Sequence, residues 1–267
     1  MSVDMLVPRF FREIERLHPC EEQGFERQGR WDRTIANCPV PPYRAVFTAG
    51  LLFGHAAGYR LPSFKQFIAT YGRAIRDNGK YPIGDKARLF QDPATCREPT
   101  SGFLHRMCGW YMDGMAHTHL YATLVQAYED QRQLGAVASD PRMDWKLKTD
   151  LVVMSASKLV RLNINFGNEE LVGDRAAREA GTKARAMASH VTGNPFHDRT
   201  HMVEVVRDAE HTEPFRGLRF FTPACLDEVI TEVDKALDVS AGSAIRYGEM
   251  RNANMRVLNA LNSDAKV

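Results

Sequence analysis

The chain has 267 residues and a mass of 30.2 kDa, with 44% hydrophobic and 25% charged residues, a globular composition that excludes a disordered, collagen-like or coiled-coil protein as a description of the whole. No apolar run approaches the ~20 residues of a spanning helix, and the opening MSVDMLVPRFFREIER lacks the apolar core of a signal peptide, so the expected setting is cytosol-like. Net charge is only +2, but arginine supplies most of the positive charge and residues 1–90 are net basic while the remainder is net acidic, which points to an anionic partner.

Taken in chain order, the period is helical almost throughout. Over residues 8–18, Phe10, Ile14 and Leu17 share one face at i, i+4, i+7 spacing, Arg9, Arg12 and Arg16 share the opposite face, and Pro8 suits the first turn. Pro41 and Pro42 open a second helix, YRAVFTAGLLFGHAAGY, apolar nearly all round and too short to span a membrane, so it reads as a core helix. A third helix begins at Pro62-Ser63 and runs to about Arg76. It buries Phe64, Phe67, Ile68, Tyr71 and Ile75, turns Lys65, Arg73 and Arg76 outward, and stops at Asp77-Asn78-Gly79.

Residues 81–102 are rich in Pro and Gly and read as a linker holding a short helix near Asp85–Phe90. Residues 103–134 predict a long helix, or two broken at Gly114, and a further helix is expected over Met143–Ile164. The Ala-rich stretch 169–190 has high helix propensity and a thin side suited to close packing. Two more helices are expected near 223–237 and 242–262. LVRLNINF hints at strand alternation, but no hairpin turn joins it to a second such run. The expected fold is therefore all-α. Its N-terminal helical domain (1–80) and middle helical domain (103–166) pack as two subdomains across the linker (81–102), followed by a helical C-terminal domain (167–267).

Catalytic chemistry is thinly supported. His197 and His201 stand at i, i+4, a spacing that on a helix lets two imidazoles share a zinc ion; Asp198 occupies the place of the usual Glu, and a third ligand would have to come from His190, Glu204 or His211. With nine histidines in the chain, solvated or capping roles are the plainer reading. His117 and His119 diverge on a helix and read as packing or surface positions. The five cysteines are odd in number and contain no CxxC pair, and Cys96 with Cys108 and one of those histidines matches no zinc module, so reduced thiols and no metal are expected. No Gly-rich phosphate loop, no nucleophile elbow and no two Glu-x-x-His motifs of the di-iron helical type are present, so no cofactor, no catalytic residue and no small-molecule substrate is assigned.

The basic residues carry more information. Arg9, Arg12 and Arg16 form one stripe. Arg27, Arg30 and Arg33 follow at three-residue spacing around Trp31. Arg60, Lys65, Arg73 and Arg76 make a second patch, with Lys80, Lys86 and Arg88 a third. The guanidinium fork grips phosphate bidentately, which suits lipid headgroups or a nucleic-acid backbone. The plainer alternative is local neutralisation by Glu13, Glu15, Glu21, Glu22 and Glu26.

The segment order resembles the matrix proteins of orthomyxoviruses, most of all those of the thogotovirus branch. The likeness lies in AVFTAGLLFGHAAGYRLPSFKQFI, DNGKYPIGDKARLF, SGFLHRMCGWYMDGMAHTHLYATLVQAYEDQ and the stretch from LVVMSASKLVRLNINFG through the Ala-rich segment, over roughly residues 40–192. It is one of pattern and not of invariant motif. The resemblance implies a helical, non-enzymatic structural protein of the virion that lines the envelope, passes through host cytoplasm and nucleus, polymerises with itself, and bridges acidic membrane to the ribonucleoprotein or its RNA. That contact would fall on Arg73, Arg76, Lys80, Lys86 and Arg88. Two features depart from the influenza pattern. The dense basic cluster is thinned to Lys86-Ala87-Arg88, which weakens the case for RNA binding and nuclear import through it, and the Cys/Cys/His/His cluster is missing. Two other readings stay open beside it: a helical RNA-binding or nucleoprotein-adaptor protein using the same arginines, with Trp31 stacking on bases, and a metal-dependent hydrolase built on His197 and His201.

Overall fold

The computed structural model describes residues 6–17, 29–36, 61–77, 82–131, 136–138, 150–155, 159–166 and 200–237. The chain divides into two compact units, Arg9–Thr118 with Pro214–Phe220, and His119–Glu213 with Met1–Pro8 and Phe221–Val267.

In the first unit, helix α1 (Leu6–Leu17) buries Phe10, Ile14 and Leu17, the three positions its period selects. Phe10 and Phe11 meet Phe220 edge-on, at 5.5 Å each between ring centres. A short helix α2 (Arg33–Ala36) starts where Asp32 Oδ1 accepts hydrogen bonds from the amides of Thr34 and Ile35. Helix α3 (Phe64–Asp77) opens with a reciprocal cap, in which the Ser63 amide donates to Gln66 Oε1 and the Gln66 amide to Ser63 Oγ. Its buried side carries Phe64, Phe67, Tyr71 and Ile75; Ile68, expected on the same stripe, is only half-buried.

One turn of helix, α4 (Ile83–Lys86), leads into a hairpin of β1 (Phe90–Asp92) and β2 (Arg97–Pro99). The hairpin lies so close to α3 that a Cβ on Gly72 would stand 2.4 Å from the carbonyl oxygen of Cys96, so only glycine fits there. Helix α5 (Ser101–Val125) runs on without a break at Gly114 and continues as a π-helical turn over Gln126–Gln131. Phe103, Met107 and Tyr111 are its core positions in this unit, and Tyr111 donates to the carbonyl of Pro62 at 2.8 Å.

The second unit overturns the all-α expectation. A four-stranded sheet in the order β3 (Ala136–Ala138), β4 (Leu151–Met154), β5 (Leu159–Phe166) and β6 (Thr200–Arg207) stands where a helix over Met143–Ile164 is predicted. The first three strands are antiparallel, and β6 runs parallel to β5 with Leu162 opposite Val203. The physical reason is visible in LVRLNINF. Val160, Leu162 and Ile164 alternate with Arg161 and Asn163, a two-residue period that a helix would scatter around its circumference. Both sets are buried, which hides the usual contrast between apolar and polar faces.

A further hairpin, β7 (Thr212–Phe215) and β8 (Leu218–Phe221), turns through Arg216 and Gly217, both at positive φ, as a two-residue hairpin turn requires. Thr222 then caps helix α6 (Pro223–Leu237) by accepting from the Cys225 amide. This helix, expected near 223–237, buries Cys225, Val229, Val233 and Leu237 and packs on β5 and β6. Among the described residues no helix is long and apolar enough to cross a membrane. The helices expected at 43–59, 169–190 and 242–262 lie outside the described residues.

Candidate anion-binding surface

Ten of the thirteen basic residues singled out by the sequence are described, and all ten belong to the first unit; Arg27, Arg60 and Lys80 lie outside the described residues. Arg12, Arg30, Arg33, Lys65, Arg73, Arg76 and Arg88 are exposed, and Arg9 is half-buried. Arg16 is exposed as well, but its guanidinium holds Glu13 through Nε and Nη2 at 3.1 and 2.9 Å and donates to the carbonyl of Leu61 at 3.3 Å. Arg76 pairs with Asp77 at 2.9 Å, a hydrogen bond that raises the arginine pKa and lowers that of the carboxylate. Such exposed pairs are screened and add little to stability.

Lys86 departs from the expectation of a surface contact. It is buried, and its ammonium donates to the carbonyl of Arg76 in the last turn of α3, where a positive charge also offsets the negative end of the helix dipole. Its role is to fasten α4 to the end of α3.

The segment 29–36 is held against the start of α5. The Arg30 amide donates to Ser101 Oγ at 3.0 Å, and His105 Nδ1 lies 3.3 Å from the carbonyl of Gly29. Gly29 has φ of +86°, and a Cβ there would stand 2.1 Å from the carbonyl oxygen of Ser101, so the approach demands glycine on both counts. Arg106 donates to the carbonyl of Ile35 at 2.6 Å and lies over the Trp110 ring at 4.5 Å. This scaffold carries Trp31, whose side of the segment faces solvent at 63% exposure between the exposed Arg30 and Arg33. His105 meets the indole at 5.9 Å between ring centres with an interplanar angle of 70°.

The metal readings gain no geometry. His201 lies in strand β6 and not on a helix, so the one-turn spacing behind the His197/His201 pairing is absent at that end; His197 and His190 are outside the described residues. His211 sits in the turn after β6 with Nδ1 2.7 Å from Asp208 Oδ1. His117 and His119 are buried on α5, and burial pushes His119 down to a pKa of about 4. Cys96, Cys108 and Cys225 are buried; burial pushes the Cys225 thiol up to about 11 and raises Cys96. Among the described residues no group of three or more metal-ligating side chains comes together.

Sequence reasoning did not find the buried polar set of the second unit. Asp150, Arg161 and Asn163 are all nearly inaccessible, and Asp150 Oδ2 accepts the Ile164 amide at 2.7 Å while the Asp150 amide donates to Leu162. The carboxylate thus extends the β4–β5 ladder by one bond, a role that no local motif announces. Family models, curated proteins and solved structures were all compared with the chain, and none matches.

Proposed function

We propose that the chain is a single-stranded nucleic-acid-binding protein, with RNA as its expected ligand, acting through the arginine-bearing surface of the Arg9–Thr118 unit. The observation that carries this reading is Trp31, exposed at 63% and flanked by exposed Arg30 and Arg33. An indole held in water by a fixed backbone offers a face on which a base can stack, worth about 1–3 kcal/mol per base, while neighbouring guanidiniums follow the phosphates. His105 meets the indole edge to face and adds a contact that supports its position.

A second reading, adsorption to an acidic membrane and self-assembly beneath it, is what the matrix-protein resemblance implies. Ile83, exposed at 69% five residues before the exposed Arg88, favours it, because an exposed aliphatic tip near a cation suits a headgroup layer. The resemblance also implies an all-helical fold, and the sheet of the second unit removes that part of its support.

One paired experiment separates the two. The purified full chain is titrated against labelled single-stranded RNA and, in parallel, floated with vesicles containing phosphatidylserine. Saturable RNA binding that weakens steeply with salt, with no flotation, is the expected result. Flotation dependent on acidic lipid, with no RNA binding at low salt, replaces the first reading with the second.

A further inference from the structure

The first unit carries a second feature, apart from the Trp31 segment. Between the end of α1 and the outer side of α3 lies a groove of about 370 Å³, lined by Arg16, Leu61, Pro62, Gln66, Thr70 and Arg73, with Ala69 completing its floor. That is the size range of small-ligand sites. Its apolar floor is fixed from several sides. Leu61 donates through its amide to Glu13 and accepts from Arg16 through its carbonyl, and Tyr111 holds the carbonyl of Pro62.

The polar lining consists of donors. Gln66 spends its Oε1 on the Ser63 amide, which leaves its NH2 group for a ligand. Thr70 Oγ1 accepts from Arg73 Nη2 at 3.3 Å, so its own proton remains to be given. Arg16 uses Nε and Nη2 on Glu13 and Leu61 and keeps the donors of its other amino group. Glu13 is answered by Arg16, so the charge left over at the groove is that of Arg73. Donors from both α1 and α3 over an apolar floor fit a tetrahedral dianion attached to a compact organic body.

We infer that this groove binds a phosphomonoester, its phosphate held by Arg73, Arg16, Thr70 and Gln66 and its organic part resting on Leu61, Pro62 and Ala69. A nucleic-acid backbone presents diesters with one negative charge per phosphate, so the site is separate from the Trp31 surface in both residues and ligand chemistry. The phosphate can come from a soluble metabolite or from a lipid headgroup, and the test separates these sources.

Calorimetry of the full chain with phenyl phosphate at neutral pH is the test, with phosphatidic acid vesicles as a second arm and benzoate as the comparator. The expected result is a single saturable site. Binding weakens about tenfold or more in Arg73→Gln, and also as pH falls through the second phosphate pKa of about 6. Thr70→Val gives a smaller loss. Binding of phenyl phosphate identifies a soluble source. Binding confined to phosphatidic acid vesicles and lost in Arg73→Gln identifies a lipid source and also upholds the inference. No binding in either arm, equal affinity for benzoate, or unchanged affinity in Arg73→Gln overturns it. The probe carries neither a base nor a strand, so its failure says nothing about RNA binding, and the reverse also holds.

Discussion

The two units differ in the polar side chains that set each apart. In the Arg9–Thr118 unit, Arg12, Arg30, Arg33, Lys65, Arg73 and Arg88 stand in water, where a charge costs nothing to keep and is available to a ligand. In the sheet unit, Asp150, Arg161 and Asn163 are buried, where a charge is held by its neighbours and serves the fold. Burial lowers the Arg161 pKa through desolvation alone, while the raised pKa of exposed Arg76 comes from Asp77. Residue type therefore says little about role here. The surroundings decide whether an arginine recognises or supports.

That contrast predicts large stability effects from buried polar groups and binding effects from exposed ones. The largest is pH-dependent. His119 has a folded pKa of about 4 against 6.5 for an unperturbed imidazole. Between these values the unfolded chain binds a proton that the folded chain refuses, so stability falls as pH drops from about 6.5 to 4, by roughly 3 kcal/mol in all, and the contribution is level above 6.5. Replacing the histidine (His119→Leu) removes that portion of the acid limb, read as the urea midpoint against pH. A slope identical to wild type would mean that His119 is not the group responsible.

Next comes Asp150→Ala, which strands the Ile164 amide without its 2.7 Å acceptor. A loss of about 2 kcal/mol is expected at neutral pH, with Asp150→Asn losing less because an acceptor oxygen remains. Equal losses in the two variants would contradict the ladder role. On the exposed side, Trp31→Ala should leave the melting temperature unchanged and weaken RNA binding about tenfold. Changing Arg30 and Arg33 together to Gln should lower the salt slope of RNA binding by about 1.4; a parallel slope would place both outside the contact. The smallest effect belongs to Arg76→Gln. Its ion pair with Asp77 is exposed, and no shift in melting temperature should be measurable.

The same contrast explains what the sequence made legible. Helices α1 and α3 present one apolar stripe each against a polar remainder, and most of their buried residues could be read from spacing, as Phe10, Ile14 and Leu17 show. The sheet did not show this contrast. Both faces of β4 and β5 are buried, so Leu151, Val152 and Val153 look like any apolar run, and β5 pairs in parallel with a strand that begins 34 residues after it ends. The β7–β8 turn escaped notice for another reason, because Arg216 takes the positive-φ position that Asn or Asp usually fills. Of the candidate surface, the exposure of Arg12, Arg33 and Lys65 follows from helical period and composition. The inward turn of Lys86 depends on where α3 ends and could not be read locally. Trp31 was recognised as an aromatic among arginines, but its exposure depends on Gly29 and Ser101 holding the segment against α5.

In the proposed nucleic-acid reading, the exposed indole of Trp31 engages bases while the neighbouring arginines follow phosphates. The most direct measurement compares the affinity of wild type and Trp31→Ala for single-stranded RNA and for an abasic strand of the same length and charge. Wild type should prefer RNA by about tenfold, and Trp31→Ala should bind the two strands equally. Equal binding by wild type, or a preference that survives in Trp31→Ala, would contradict it.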